Sequence, residues 1–266
     1  VTLGADTTLT GSTVTFGGTL GNSTSQTLDI LGNAVFNGTV GAGTALTSVT
    51  VSGTTAINGG SVNTSGIQTY TGNATLGAAT TLTGSTVTFG GTLGNSTSQT
   101  LAITGNAVFN GTVGAGTALT SVTVSGTTAI NGGSVNTSGI QTYTGNATLG
   151  ADTTLTGSTV TFGGTLGNST SQTLDILGNA VFNGTVGAGT ALTSVTVSGT
   201  TAINGGSVNT SGIQTYTGNA TLGAATTLTG STVTFGGTLG NSTSQTLAIT
   251  GNAVFNGTVG AGTALT

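Results

Sequence analysis

Glycine punctuates this chain at a spacing that few folds can use. Leu28, Ile30 and Gly32 fall in line with Val49, Val51 and Gly53, then with Gln68, Tyr70 and Gly72, and then with Val87, Phe89 and Gly91. After each glycine a second short run begins. Ala34 and Phe36 match Thr55 and Ile57, then Ala74 and Leu76. A third, looser run contributes Val40, Val62 and Leu82. Within each run apolar residues alternate with small polar ones, as in a strand with one buried face. Corners such as Asn37-Gly38 carry the residues that tolerate positive φ. The intervals are too short to hold helical crossovers.

These spacings predict an all-β chain wound as a parallel right-handed β-helix, a β-solenoid with three short strands per turn. The hand follows the crossover preference of parallel strands. Turns of about 20, 20, 18 and 15 residues, counted from Thr27, Thr47, Ile67 and Ser85, place four turns in the long repeat described next. Like strands then stack about 4.8 Å apart. The expected core ladder is Leu28, Ile30, Phe36, Val49, Val51, Ile57, Tyr70, Leu76, Val87 and Phe89. The ring of Tyr70 packs inward in this reading while its phenol reaches a corner or the surface.

A longer period overlies the turns: Leu3 recurs as Leu76, Leu149 and Leu222, and Phe16 as Phe89, Phe162 and Phe235. The chain reads as one continuous array, 1–266, of repeats 1–73, 74–146, 147–219 and a partial 220–266. Adjacent repeats differ at few positions. Val1, Asp6, Asp29 and Leu31 become Ala74, Ala79, Ala102 and Thr104. The third repeat restores Asp152, Asp175 and Leu177, and the fourth restores Ala225, Ala248 and Thr250. Acidic and neutral repeats therefore alternate. The chain opens at Val1 and stops inside a repeat, as expected of a window from a longer array.

Composition narrows the chemistry sharply. There is no Lys, Arg or His, and the four acidic residues are all aspartates. Electrostatic recognition of nucleic acid is excluded on that ground. Disorder goes with high charge and few β-branched residues, the opposite of this pattern. No apolar run approaches the ~18 residues of a membrane span. Absence of cysteine suits an extracellular chain that does without disulfides, and absence of Lys and Arg removes every trypsin site.

An enzyme needs groups that move protons, attack or bind metal. Only Asp, Ser, Thr and Tyr are present, and no base activates the hydroxyls. Asp6 and Asp29 are separated by a little over one turn and read as lying on different strands, with no carboxylate pair. The Gly59-Gly60 and Gly90-Gly91 pairs lack the aspartate that follows in calcium-binding solenoid loops. The chain reads as a non-enzyme that holds no cofactor and no metal. Asn22, Asn37, Asn63 and Asn73 begin glycosylation triplets, but turn asparagines more often satisfy corner backbone groups.

The outward positions form the candidate interaction face: Thr27, Ser48, Thr50, Thr69, Thr71, Thr86 and Thr88, interrupted by Leu31 and Ile67. A flat Thr-x-Thr array could take ice or glycans, or pack rods side by side. Threonine is also simply a good uncharged residue for an exposed strand.

The segments TLGADTTLTGSTVTFGGTLGNS, LTSVTVSGTTAINGGSV and IQTYTGNATLGA resemble the tandem β-strand repeats of very large secreted bacterial surface proteins. That group is similar to filamentous-haemagglutinin-type adhesins and autotransporter passenger domains. The resemblance covers the whole chain and carries over no catalytic residue. It implies export to the cell surface or extracellular matrix and a rod, stalk or fibre role, with copies of itself as partners. The lack of basic residues and the near-identity of repeats depart from an adhesin with a distinct binding domain. An adhesin-like, ice-binding or carbohydrate-binding use of the threonine face is the alternative.

Overall fold

The structure, a computed structural model, describes residues 1–266 and contains strands but no helix. Two compact units, Val1–Ser138 and Gly139–Thr266, are each a parallel β-solenoid with three strands per turn. Each pairing given below is parallel.

Three ladders run along the first unit. One passes through Leu28, Val49, Gln68, Val87, Ala107 and Thr128. A second passes through Ala34, Thr55, Ala74, Leu93, Val113 and Val135. The third passes through Leu20, Val40, Val62, Leu82, Ile103 and Val124. The strand alignments read from the sequence, from Leu28 on to Phe89, are reproduced residue for residue. All ten expected core residues are buried, none more than 1% exposed. Alternation explains this directly: successive strand residues face opposite sides, so one residue in two enters the interior.

The count of turns differs from the sequence reading. Adjacent turns pair at nearly constant intervals, as in Val40 with Val62, Val49 with Gln68 and Thr86 with Asn106. The short turn counted from Ser85 is therefore absent. Each ten-residue strand, such as Thr27–Phe36 and Thr80–Phe89, runs through a corner and serves two faces. Counting both halves and the Val40 bridge, one repeat makes eleven strand passes, which is three and two-thirds turns rather than four. A shorter turn would shear its backbone hydrogen bonds away from those of its neighbours.

A fractional count moves each repeat onto the next face. Val87 rests on Gln68 on one side and on Ala107, the counterpart of Ala34, on the other. Leu93 passes its ladder to Val113, the counterpart of Val40, and Leu82 passes its ladder to Ile103, the counterpart of Ile30. In the second unit Val160 hands its ladder to Ala180 in the same way. Aromatic stacks span these junctions. Tyr70, Phe89 and Phe109 lie 5.3 and 6.0 Å apart between ring centroids, nearly parallel, and Tyr143, Phe162 and Phe182 repeat the arrangement.

The through-corner strands bend at bulges. Thr83 pairs with Thr104 and Thr86 with Asn106, so Gly84 and Ser85 together face Gly105. Gly105 has φ +126°, and a Cβ there would sit 1.8 Å from the Gly84 carbonyl oxygen. Only glycine admits both the angle and the close approach. Gly105→Ala is expected to cost at least about 2 kcal/mol through overlap and strain. Gly94→Ala, where a Cβ would meet nothing within 4 Å, should stay within about 0.5 kcal/mol. Denaturant unfolding of the two variants measures the contrast.

Candidate functional site

Outward residues on one face form short columns. Thr27 lies beside Ser48, and Asp29 beside Thr50. Thr50 lies beside Thr69, and Thr69 beside Thr88. Thr86 and Thr88 share one strand and one outward face. The side chains of Thr27, Ser48, Thr50, Thr69 and Thr88 are half-buried between their neighbours along the ladder. Thr71 is not among them. Its strand ends at Tyr70, and Thr71 is an exposed corner residue whose N–H donates to the Val51 carbonyl oxygen at 2.9 Å. The column of Ser48 is broken by isoleucine, as seen where Ile140 lies beside Thr159 and Ile213 beside Thr232. Beyond Thr88 the other column continues as Val108, because the next repeat has moved one face on. The threonine array is therefore a patch on each repeat, not a continuous stripe.

The aspartates are placed differently from the sequence reading. Asp6 directly precedes Thr7, which pairs with Leu28, and Asp29 pairs with Thr8. The two residues thus stand on adjacent turns at diagonal positions, their Cα atoms roughly 8 Å apart by ladder spacing. The Asp6 Oδ1 accepts a hydrogen bond from the Thr27 N–H at 2.8 Å, and Asp152 does the same for Thr173. Leu31 stands two residues beyond Asp29 on the same side and is 53% exposed. Asp6, Asp29 and Leu31 are the three positions that separate acidic from neutral repeats, since Val1 is not restored in the third repeat, which has Ala147. The alternation is thus a change to one outward patch. The signal was present in the sequence as three linked substitutions, and register was needed to see that they adjoin.

Asparagines at the corners are engaged. Asn22 Oδ1 accepts from the Gln26 N–H at 3.2 Å, and Asn37 Oδ1 accepts from Asn58 Nδ2 at 2.8 Å. Asn63 Nδ2 donates to the Gly41 carbonyl at 3.4 Å, and Asn73 Oδ1 accepts from the Thr92 N–H at 3.0 Å. Each of these side chains does for a corner what ladder hydrogen bonds do for a strand.

One polar constellation lies inside. Tyr70 is fully buried, which bears out the inward ring and rules out the surface as the place its phenol reaches. Its hydroxyl donates to Gln68 Oε1 at 2.9 Å. Gln68, also fully buried, directs Nε2 at the carbonyl oxygens of Val62 and Thr83, at 3.0 and 2.8 Å, and at Thr64 Oγ1, at 3.3 Å. Gln141 with Tyr143 and Gln214 with Tyr216 repeat the pair. Gln68 aligns with Leu28 and Val49 in the sequence, so an inward amide was legible there; its partners were not. No family model, curated protein or solved structure matches the chain.

Burial pushes the ionisation of Tyr70, Tyr143 and Tyr216 far above the ordinary tyrosine range. A folded-state value above the unfolded one means the folded chain holds these protons more tightly. The associated stability is complete below the unfolded value of about 10 and declines as pH rises beyond it. Phenolate absorbance is expected to stay absent above pH ~10 until the chain unfolds, and then to appear together with loss of the strand signal. Absorbance rising first, in a still-folded chain, would show the rings to be open to water.

Proposed function

We propose that this chain is a structural segment of a secreted surface filament, stalk or extracellular matrix fibre, a passive rod and not an enzyme. The observation that carries the reading is the pairing of continuous interior ladders with outward faces built almost wholly of small uncharged residues. A parallel coil of this kind extends by adding turns, and its stability is a property of the stack. On this reading the partners are other copies of the repeat, end to end and side by side. The resemblance to giant bacterial surface proteins agrees with this and motivates the extracellular assignment.

Lateral association follows from charge. Soluble monomers ordinarily carry substantial charge of both signs. Here aspartates are the only charged side chains, so neighbouring rods meet little repulsion and have no ion pairs to screen. The purified chain is expected to form fibres giving a reflection near ~4.8 Å along the fibre axis, with assembly little changed between low and high salt. A monodisperse monomer under both conditions would overturn the filament reading.

A second reading, an adhesive surface for glycans or ice, draws on the in-register column Thr50, Thr69 and Thr88. Thr50→Lys with Thr69→Lys should then remove binding to glycan arrays or ice while leaving circular dichroism unchanged. Binding that survives both lysines sinks this alternative.

A further inference from the structure

The interior poses a problem of choice. Its apolar rungs accept unlike neighbours. The Val87 and Phe89 rung rests on Gln68 and Tyr70 on one side and on Ala107 and Phe109, from a different part of the repeat, on the other. Leu93 likewise joins Ala74 to Val113. Rungs that accept such varied neighbours do little to determine which turn follows which. A turn could loop out and let its neighbours close over the gap, and apolar contact alone would scarcely resist.

One rung is not interchangeable. We propose that the buried Gln68 and Tyr70 pair, with its copies Gln141 and Tyr143, and Gln214 and Tyr216, is a register clamp that commits each repeat to a single order of stacked turns.

The geometry supports this at three points. First, Gln68 reaches two turns at once: Nε2 lies 3.0 Å from the Val62 carbonyl oxygen of its own turn and 2.8 Å from that of Thr83 on the next. Second, the next turn is fitted closely to the clamp. A Cβ at Gly84 would lie 2.7 Å from both Thr64 Oγ1 and the Gly66 carbonyl oxygen, and 3.4 Å from Gln68 Nε2, so glycine is what lets that backbone close down. Third, the amide oxygen is taken by the Tyr70 hydroxyl at 2.9 Å, and the Tyr70 ring stacks on Phe89 of the same incoming turn. The copy at Gln214 makes matching contacts to Val208 and Thr229, at 3.1 and 2.8 Å, and Gly230 fits against it as Gly84 does.

Any other succession of turns takes the Thr83 carbonyl, the Gly84 fit and the Phe89 ring away from this group, while its bonds to Val62 and Tyr70, made within its own turn, remain. The amide N–H aimed at Thr83 would then be buried without that partner, which a low-dielectric interior penalises. Buried polar groups that select one register over near-equal alternatives are the best attested use of such groups.

Engineered disulfides in the full chain, which has no cysteine of its own, test the clamp. Thr69→Cys with Thr88→Cys reports native succession, since these outward residues are direct partners about 4.8 Å apart, within disulfide reach. Thr50→Cys with Thr88→Cys reports a looped-out turn, because they are two turns apart in the native stack, about 9.6 Å, and out of reach. Thr142→Cys with Thr161→Cys in the second unit is the internal control. The clamp is removed at one rung only, by Gln68→Leu with Tyr70→Phe, so the other two rungs keep the chain foldable.

With the clamp intact, the 69–88 disulfide should form nearly completely and the 50–88 disulfide should be undetectable. With it removed, the 69–88 yield is expected to fall several-fold and the 50–88 product to appear, while the 142–161 yield and the strand signal hold. Two results overturn the proposal. The native disulfide could remain the sole product, in which case apolar packing alone sets the order. Both first-unit disulfides could vanish while the control holds, in which case the rung supports local folding and does not choose register.

Discussion

Every turn of this protein depends on the parallel hydrogen-bond ladder it shares with the turns beside it. A single pass, whether from Val49 round to Gln68 or from Val40 round to Val62, closes no core of its own. Its inward side chains become buried only when a like set lies above and below. The backbone hydrogen bonds demand equal perimeters, and equal perimeters bring side chains of similar shape into line. Regular backbone and dry interior are therefore one constraint seen from two sides. Where the ladder is interrupted at a corner, side-chain amides replace it, as between Asn37 and Asn58 on the outside and from Gln68 on the inside.

Much of this was legible in the sequence, because glycine after each first run marks the same point of successive turns. The alignment of Leu28, Val49, Gln68 and Val87 needed nothing more. The number of turns was not legible, for two physical reasons. Strands such as Thr80–Phe89 run through a corner at a bulge, where Gly84 and Ser85 resemble ordinary strand residues in the sequence. The pass at Val40 is a single bridge with no alternation to mark it. Counting from glycine to glycine therefore credits one repeat with an extra third of a turn. Thr71 was misplaced for a related reason: it keeps the alternation of Thr69, but its strand has already ended.

The surface shows what uniformity costs and where the chain departs from it. Nearly all outward positions are invariant between repeats. The substitutions at Asp6, Asp29 and Leu31 gather at one place, and there an acidic and partly apolar patch alternates with a flat neutral one. In the sequence the aspartates look like scattered charges, since separation along the chain conceals that they stand at diagonal positions across a ladder. Inside, the inward ring of each tyrosine was legible, but not the partner of its phenol. That group was expected at a corner or the surface, and a glutamine two residues away satisfies it within the core, so the ring lies flat in the aromatic stack.

The one-face advance of each repeat has a consequence for how such a gene product can change length. Tandem near-identical copies are prone to gain or lose a copy during replication. In a coil with a whole number of turns per copy, that event would add or remove turns and leave each copy's outward patches on the face they held before. Here one copy more or less also carries the adjoining copy's patches round to the next face. Copy number therefore decides which face a patch occupies as well as how many patches there are.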